Sequence, residues 1–178
     1  MRRIVAGITS LEQHTQAIGQ TPEVYRPPSC PHCGIKVVWG HGHYHRKADL
    51  CNRGEANANP VPIPRYYCPA CGRTCSRLPE CIAPRRWYNW LLQQVGLRAA
   101  FEHTAPATPP TCPTPARRTI GRWWRWLHER GRIFRFYLTS RFPELGRMAD
   151  DAAFWCRMFE TIGLPRAMAW LDQEMSVP

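Results

Sequence analysis

Four cysteines of the chain are spaced like the ligands of a single metal ion. Cys30 and Cys33 stand in C-P-H-C-G, and Cys68 and Cys71 stand in C-P-A-C-G-R. Two thiolates in a C-x-x-C pair fit on one tight turn, and the following glycine supplies the positive φ that this turn needs. Two such knuckles complete a tetrahedral S4 site, for which zinc is the favoured metal ahead of iron. We therefore predict one structural Zn²⁺ ion, held in a closed site without an open position for hydrolysis.

The remaining cysteines of the same region leave alternatives open. The chain has 9 cysteines. Cys75 follows Cys71 closely and is the alternative metal ligand. Cys81 is predicted to pack at the junction with the helical part. No function is predicted for Cys51. C-P-A-C is also typical of thioredoxin-type redox enzymes, but that motif belongs at a strand-to-helix turn of a βαβ unit. Two copies, each followed by glycine, favour metal binding over redox catalysis.

Three histidines alternate in the segment HGHYH. On a strand, His41, His43 and His45 would all point to one face, where they could bind a metal ion. Arg46 and Lys47 follow directly, which favours a polar or phosphate-facing strand edge instead.

A long arginine-rich segment lies in the C-terminal half. Between residues 112 and 147, nine arginines stand against two glutamates, a local charge of 9 − 2 = +7. The pattern predicts a helix from Pro115 to Arg130 that ends at Gly131, with Ile120, Trp123, Trp124 and Leu127 forming its buried stripe. The next segment, RIFRFYLTSRF, is predicted to be a further helix up to Pro143. Arginines occupy the opposite face, between about 140° and 200° from Ile120. The predicted DNA contacts are Arg117, Arg118, Arg122, Arg125, Arg46, Lys47 and Arg73.

The overall charge agrees with a polyanionic partner. The net charge is +11 and the pI is about 9.7. A small basic protein gains affinity for nucleic acid because each neutralised phosphate releases counterions. The sequence contains no apolar run long enough to span a membrane and no convincing signal peptide, so we expect a cytoplasmic protein with reduced thiols.

Composition divides the chain into four segments. We predict an irregular N-terminal segment (1–29), a cysteine-rich segment with the metal site (30–82), a basic helical region (83–147) and C-terminal helices (148–178). The family resemblance given below implies that the second is a zinc ribbon and that the third is a helix-turn-helix-like region. Within the ribbon, 35–40 and 61–68 are predicted strands. In the helical region, a helix over 85–101 precedes a proline-rich linker that no helix can cross. The predicted fold class is therefore small α+β: a short antiparallel sheet with two cysteine knuckles, followed by an all-α part.

The cysteine-rich region resembles a known family. CPHCG…VVWGHGHYHRK…IPRYYCPACGRTCSRLPE is similar to the N-terminal zinc ribbon of bacterial insertion-sequence transposases and small transposase-associated proteins. The residues that match this pattern, besides the cysteines, are Arg65, Tyr66, Gly72, Arg73, Thr74, Ser76, Leu78, Pro79, Pro84 and Arg85. The resemblance covers about residues 28–90. Cys75 stands where the family pattern has Phe, which favours a small buried apolar residue over a ligand.

The resemblance implies a DNA-binding ribbon followed by a helix-turn-helix. The DDE nuclease of such transposases needs well over 100 further residues and three acidic ligands. The late aspartates here are Asp150, Asp151 and Asp172, and Asp150 is predicted to cap a helix instead. We therefore expect that the protein is not an enzyme but a zinc-dependent protein that binds double-stranded DNA. It would be associated with the bacterial nucleoid, and a transposase or other recombination protein is a candidate partner. It would be an accessory, truncated or regulatory relative of transposases. The alternative is a zinc-ribbon adaptor that binds protein or RNA.

Overall fold

The computed structural model describes residues 3–48, 60–84 and 88–175 of the chain. These residues form two small β-sheets and five α-helices, so the predicted α+β class with a short antiparallel sheet is confirmed. The elements in chain order are β1 (Ile4–Val5), α1 (Leu11–Gln20), β2 (Trp39–Arg46), β3 (Val61–Tyr67), β4 (Thr74–Cys75), β5 (Leu78–Pro79), α2 (Trp90–Glu102), α3 (Arg117–Arg141), α4 (Asp151–Thr161) and α5 (Leu164–Glu174). Short 3₁₀ helices lie at Pro22–Tyr25 and Pro143–Arg147.

The strands of the larger sheet follow the order β2-β3-β4 and are antiparallel. The pairing of β2 with β3 shifts register between Gly40 and His43. Gly42 lies in this shift with φ of 69°, a backbone conformation that glycine adopts without steric cost. The shift therefore changes which faces the side chains of HGHYH occupy.

Both predicted strands of the ribbon are present, but the boundaries of the first one differ from the prediction. The segment 61–68 matches β3, but β2 begins at Trp39 rather than at Ile35 and runs on through HGHYH to Arg46. Residues 49–59, including Cys51, lie outside the described residues.

The segment 1–29 is not irregular as predicted, because it contains β1 and α1. Ser10 caps α1 by accepting a hydrogen bond from the N–H of Gln13 at 3.2 Å, and Oε1 of Gln13 accepts one from the N–H of Thr9 at 2.8 Å. This reciprocal pairing is close to a capping box. The S-x-x-Q spacing at Ser10 was the sequence signal for this helix.

The second long helix does not end at Gly131 as predicted. α3 continues to Arg141, and Gly131 is buried inside it. A Cβ atom at Gly131 would lie 4.0 Å from Nε1 of Trp155 on α4, an ordinary van der Waals contact, so Gly131 is an interior residue packed beside α4 rather than the end of the helix. The buried stripe that continues beyond it, through Phe134 and Leu138, keeps the segment helical by tertiary packing.

The remaining helices largely agree with their sequence signals. α2 begins at Trp90, where Asn89 accepts from the N–H of Leu92 at 2.9 Å, and residues 85–87 of the predicted helix lie outside the described residues. Asp150 caps α4 as predicted, accepting from the N–H of Ala153 at 2.8 Å. No helix in the described part of the chain is both long and apolar enough to cross a membrane.

Hydrogen bonds connect the ribbon with the helices. The carboxylate of Asp172 on α5 is buried and accepts bonds from the N–H of Ile4, at 2.8 Å, and from the N–H of Arg3. β1 in turn pairs in parallel with β5 at the end of the ribbon. The indole of Trp90 donates a 2.8 Å bond to the carbonyl of Glu80. The ribbon is therefore held against the helices by buried polar contacts on two sides.

Candidate metal centre and nucleic-acid interface

The two cysteine knuckles have the same backbone geometry. The N–H of Gly34 donates to the carbonyl of Cys30 at 2.8 Å, and the N–H of Gly72 donates to the carbonyl of Cys68 at 2.9 Å. Both glycines have positive φ, 79° at Gly34 and 67° at Gly72, as their place after each C-x-x-C pair predicted. Each turn therefore presents its two sulfur atoms to a common point.

The four predicted ligands converge. The Sγ atoms of Cys30 and Cys71 lie 3.7 Å apart, those of Cys33 and Cys68 lie 3.6 Å apart, and all four lie within 4.8 Å of one another. None of the four is disulfide-bonded. A tetrahedral zinc ion with Zn–S bonds of about 2.3 Å needs sulfur atoms about 3.8 Å apart. The residues therefore fit a single tetrathiolate metal ion, and they form a structural rather than an open site.

The proton equilibria of the thiols also favour a bound cation. Burial opposes ionisation of Cys30, but hydrogen bonds from the N–H groups of His32 and Cys33 and from neighbouring thiols lower its pKa to about 6. At Cys33 the N–H of Ile35 favours the thiolate, yet burial and the hydrogen bonds of the crowded thiols raise the pKa to about 12. One thiolate forms readily, whereas full ionisation of the cluster needs a positive charge among the sulfur atoms.

The other ribbon cysteines lie outside this cluster. Cys75 is buried, 8% exposed, in the apolar core beside the knuckles, which agrees with its prediction as a small apolar residue rather than a ligand. Cys81 packs against the apolar cluster around Ile63 and Ile82, and burial raises the pKa of its thiol to about 12. Both thiols are therefore packing residues.

The histidines of HGHYH do not form a second metal site within the described residues. His41, His43 and His45 are all exposed on β2. The ring of His41 lies 5.7 Å from that of Tyr67 on β3. The histidines therefore lie along an exposed part of the ribbon, as the second sequence interpretation had it.

The predicted arginine face of α3 is accessible. Arg117, Arg118, Arg122 and Arg125 are all exposed, and none of them forms an ion pair with an acidic residue in the described part of the chain. On the opposite side of the helix, Trp123 and Leu127 are buried, as predicted. The helix therefore separates an apolar inner side from a cationic outer side.

The three predicted contacts on the ribbon differ in their environment. Lys47 and Arg73 are exposed. Arg46 is half-buried and donates a 2.6 Å hydrogen bond to the carbonyl of Ala83, and burial lowers the pKa of its guanidinium. Arg46 is therefore a connection within the fold rather than part of the exposed basic surface.

Comparison with known families assigns the central part of this chain. Residues 30–123 match the family described as "Domain of unknown function (DUF6431)". The chain belongs to this family. No curated protein and no solved structure matches the chain.

The DUF6431 segment contains both candidate sites. Residues 30–123 include all four clustered cysteines and the first part of α3 with Arg117, Arg118 and Arg122. The metal centre and the start of the arginine face therefore belong to one family domain.

Trp124 differs from its prediction. It was placed in the buried stripe of α3 but is 37% exposed and stacks on His128, with ring centroids 4.8 Å apart and an interplanar angle of 9°. Both rings line a groove of about 1000 Å³ between α2, the linker and α3. α2 contacts α3 on the side of Ile120 and Trp123, which leaves Trp124 at the margin of the stripe.

One exposed arginine of this helix was not predicted. Arg132 is exposed, and at 100° per residue it lies two turns beyond Arg125 on nearly the same side of α3. Arg132 was not assigned to this face because the segment after Gly131 was predicted as a separate helix. The continuous helix therefore lengthens the arginine face.

Proposed function

We propose that this chain is a zinc-dependent protein that binds double-stranded DNA through the arginine face of α3. The tetrathiolate cluster would hold one Zn²⁺ ion that orders the ribbon, since soft thiolates and a closed tetrahedral geometry suit zinc. The metal takes no part in chemistry in this proposal.

The observation that carries the proposal is the excess of positive charge on the exposed face. Arg118, Arg122, Arg125 and Arg132 follow one side of α3 without acidic partners in the described residues. The one carboxylate of this helix, that of Glu129, lies on the same side between Arg125 and Arg132 and is 3.7 Å from Arg130. A merely solvated helix face ordinarily mixes both charges, whereas a face of arginines suits phosphate contact.

The start of α3 supports the same conclusion. Its first turn contains Arg117 and Arg118, it has no acidic residue there, and Ala116 provides no side-chain cap. Cations at the positive end of a helix dipole cost stability. The N–H of Thr119 already donates to the carbonyl of Ala116 at 2.8 Å, which leaves the N–H groups of Arg117 and Arg118 in this turn as donors. A DNA phosphate at this end would accept those donors and offset the repulsion between the arginines and the helix.

The arrangement of α2 and α3 is compatible with a variant of the helix-turn-helix. The two helices pack closely at Gly96, but residues 103–116 connect them, far more than the about 3 to 4 residues of the usual turn. α3 would serve as the recognition helix, with Lys47 and Arg73 of the ribbon contacting phosphates beside it. The resemblance of the ribbon to that of transposases favours an accessory or regulatory role in DNA recombination.

The proposal is tested by titrating labelled duplex DNA with the zinc-loaded chain at several salt concentrations. Arg122→Ala should weaken binding and reduce the slope of log K against log salt by about one, because one phosphate contact is lost. Arg166→Ala is the matched control, since Arg166 is an exposed arginine of another helix, α5. Equal affinities of the two variants would overturn the proposal, and tighter binding of RNA than of duplex DNA would favour the adaptor alternative.

A further inference from the structure

We propose that the exposed aromatic side chains of the ribbon sheet form a second binding site, which stacks the unpaired bases of single-stranded DNA. The site consists of Trp39, His41 and Tyr67, and we call it the aromatic patch. It shares no residue with the arginine face of α3. A substitution can therefore abolish single-strand binding at the aromatic patch without affecting duplex binding at α3, and the two proposals can be refuted separately.

The aromatic patch is a compact cluster of rings. Trp39 and Tyr67 are partners across the strands, with ring centroids 6.4 Å apart and an interplanar angle of 45°. His41 lies 5.7 Å from Tyr67 at an angle of 34°. Trp39 is 55% exposed, so its ring is not accounted for by packing in a core. A group of exposed aromatic rings of this kind marks an interaction surface.

A cation and a further ring continue the patch along the sheet. Arg65 and Tyr67 alternate along β3 and therefore lie on the same face of the sheet, about 7 Å apart along the strand. The guanidinium of Arg65 lies 5.5 Å from the ring centroid of Tyr44 on β2. Aromatic rings and a cationic group therefore alternate along this face of the sheet. A nucleic-acid strand needs both, because its bases stack on rings and its phosphates pair with cations.

The charge of the ribbon favours an anionic ligand. The described ribbon residues 30–48 and 60–82 contain one acidic residue, Glu80. Their cations are Lys36, Arg46, Lys47, Arg65, Arg73 and Arg77. A tetrathiolate with one divalent cation would carry a charge of −2, which leaves these residues at 6 − 1 − 2 = +3. This charge complements a nucleic-acid backbone and disfavours a basic partner.

Single-stranded DNA fits the patch better than duplex DNA does. A flat ring such as that of Trp39 or Tyr67 offers its face, and a base can cover that face only when the base is unstacked from its neighbour. In a duplex the base faces are already stacked, and only base edges and phosphates are accessible. The patch therefore complements a strand whose bases are free.

The test is a fluorescence-anisotropy titration of labelled oligo(dT) with the full zinc-loaded chain. Trp39→Ala should weaken binding about tenfold, the effect of losing one stacked base, and Trp39→Phe should restore most of the affinity because it retains a ring. Phe136→Ala is the matched control, since Phe136 is a 65% exposed aromatic residue on α3. Unchanged zinc content in each variant verifies that the ribbon remains folded.

Several results would overturn the inference. Trp39→Ala could bind oligo(dT) as tightly as the original chain, or Phe136→Ala could lose as much affinity. Tighter binding of oligo(rU) than of oligo(dT) would assign the patch to RNA instead. Arg122→Ala should weaken duplex binding and leave oligo(dT) binding nearly unchanged, so an equal loss for both probes would place the single strand on α3.

Discussion

The guanidinium of Arg46, at the end of β2, donates a hydrogen bond to the carbonyl of Ala83, just before the helical part of the chain. This contact makes two neighbouring cations differ in role. Arg46→Ala should lower the free energy of unfolding by about 1.5–3 kcal/mol, the contribution of a hydrogen bond to a charged group, and should leave duplex DNA affinity unchanged. Urea denaturation and the DNA titration measure the two effects.

Lys47→Ala is the matched comparison for Arg46. Lys47 is exposed, so its loss should change the unfolding free energy by no more than about 0.5 kcal/mol while weakening DNA binding. The assignment of the two residues would be reversed if Arg46→Ala impaired DNA binding without loss of stability.

A second prediction concerns the metal centre. Cys68→Ser should release the metal ion and unfold the ribbon over residues 30–81, because a structural zinc ion contributes directly to folding. Elemental analysis for zinc and circular dichroism of the purified chain measure both losses. Cys75→Ala should retain one zinc ion per chain, since Cys75 lies outside the sulfur cluster. Retention of the metal by Cys68→Ser would refute the assignment of the ligands.

Two glycines of the helix pair should respond to substitution in opposite directions. A Cβ atom at Gly96 would lie 3.2 Å from Cγ1 of Ile120 and 3.3 Å from Cζ3 of Trp123, so Gly96→Val should overpack this contact and cost about 1–3 kcal/mol. Gly121 lies inside α3 with no atom within 4 Å of such a Cβ. Gly121→Ala should therefore stabilise the chain by up to about 1 kcal/mol. Thermal unfolding of both variants provides the comparison.

A pH-dependent contribution to stability should come from His14. Its Nε2–H donates to the carbonyl of Pro62 at 2.9 Å, and its Nδ1 accepts from the hydroxyl of Tyr25 at 2.6 Å. Burial lowers the pKa of this imidazole, and the Pro62 bond opposes that effect only in part. The unfolded chain therefore binds the proton more readily, so this contribution is complete above about pH 6.5 and is lost as the pH falls through the lower folded pKa.

His14→Phe provides the measurement. The substitution leaves two buried polar groups unpaired and should cost about 1–3 kcal/mol near neutral pH. It also removes the titrating group, so the variant should lose less stability than the original chain between about pH 7.5 and about pH 5.5. Protonation of the metal-binding thiols affects both proteins alike. Parallel pH profiles would show that His14 does not contribute to the pH dependence.

The sequence predicted the convergence of the four cysteines because the geometry of each thiolate pair is local. A thiolate pair and its glycine must lie on one short turn, so Cys30–Gly34 and Cys68–Gly72 determine their own backbone conformation. The convergence of the two pairs then follows from the need to complete one tetrahedral site. The caps at Ser10 and Asp150 are equally local, although only the second was recognised.

The errors lie where distant contacts decide the structure. Gly131 is a helix-ending residue by local propensity, but its burial against Trp155 of α4 keeps α3 continuous. Arg46 was predicted to be a surface cation because the sequence does not show that the carbonyl of Ala83 lies beside its guanidinium. The exposure of Trp39, 55%, is decided by tertiary contacts, which no periodicity of the segment 35–47 could indicate.

The bond between Asp172 and the N–H of Ile4 implies an order of events during synthesis. The cysteine pairs whose sulfur atoms meet are 41 and 35 residues apart, so the sulfur cluster can assemble soon after Cys71 is made. Asp172 follows Ile4 by 168 residues, and β1 cannot obtain this contact until α5 has been translated. Segments of a growing chain fold in the order in which they appear. The sulfur cluster therefore assembles early, and the final attachment of the ribbon to the helices waits for α5.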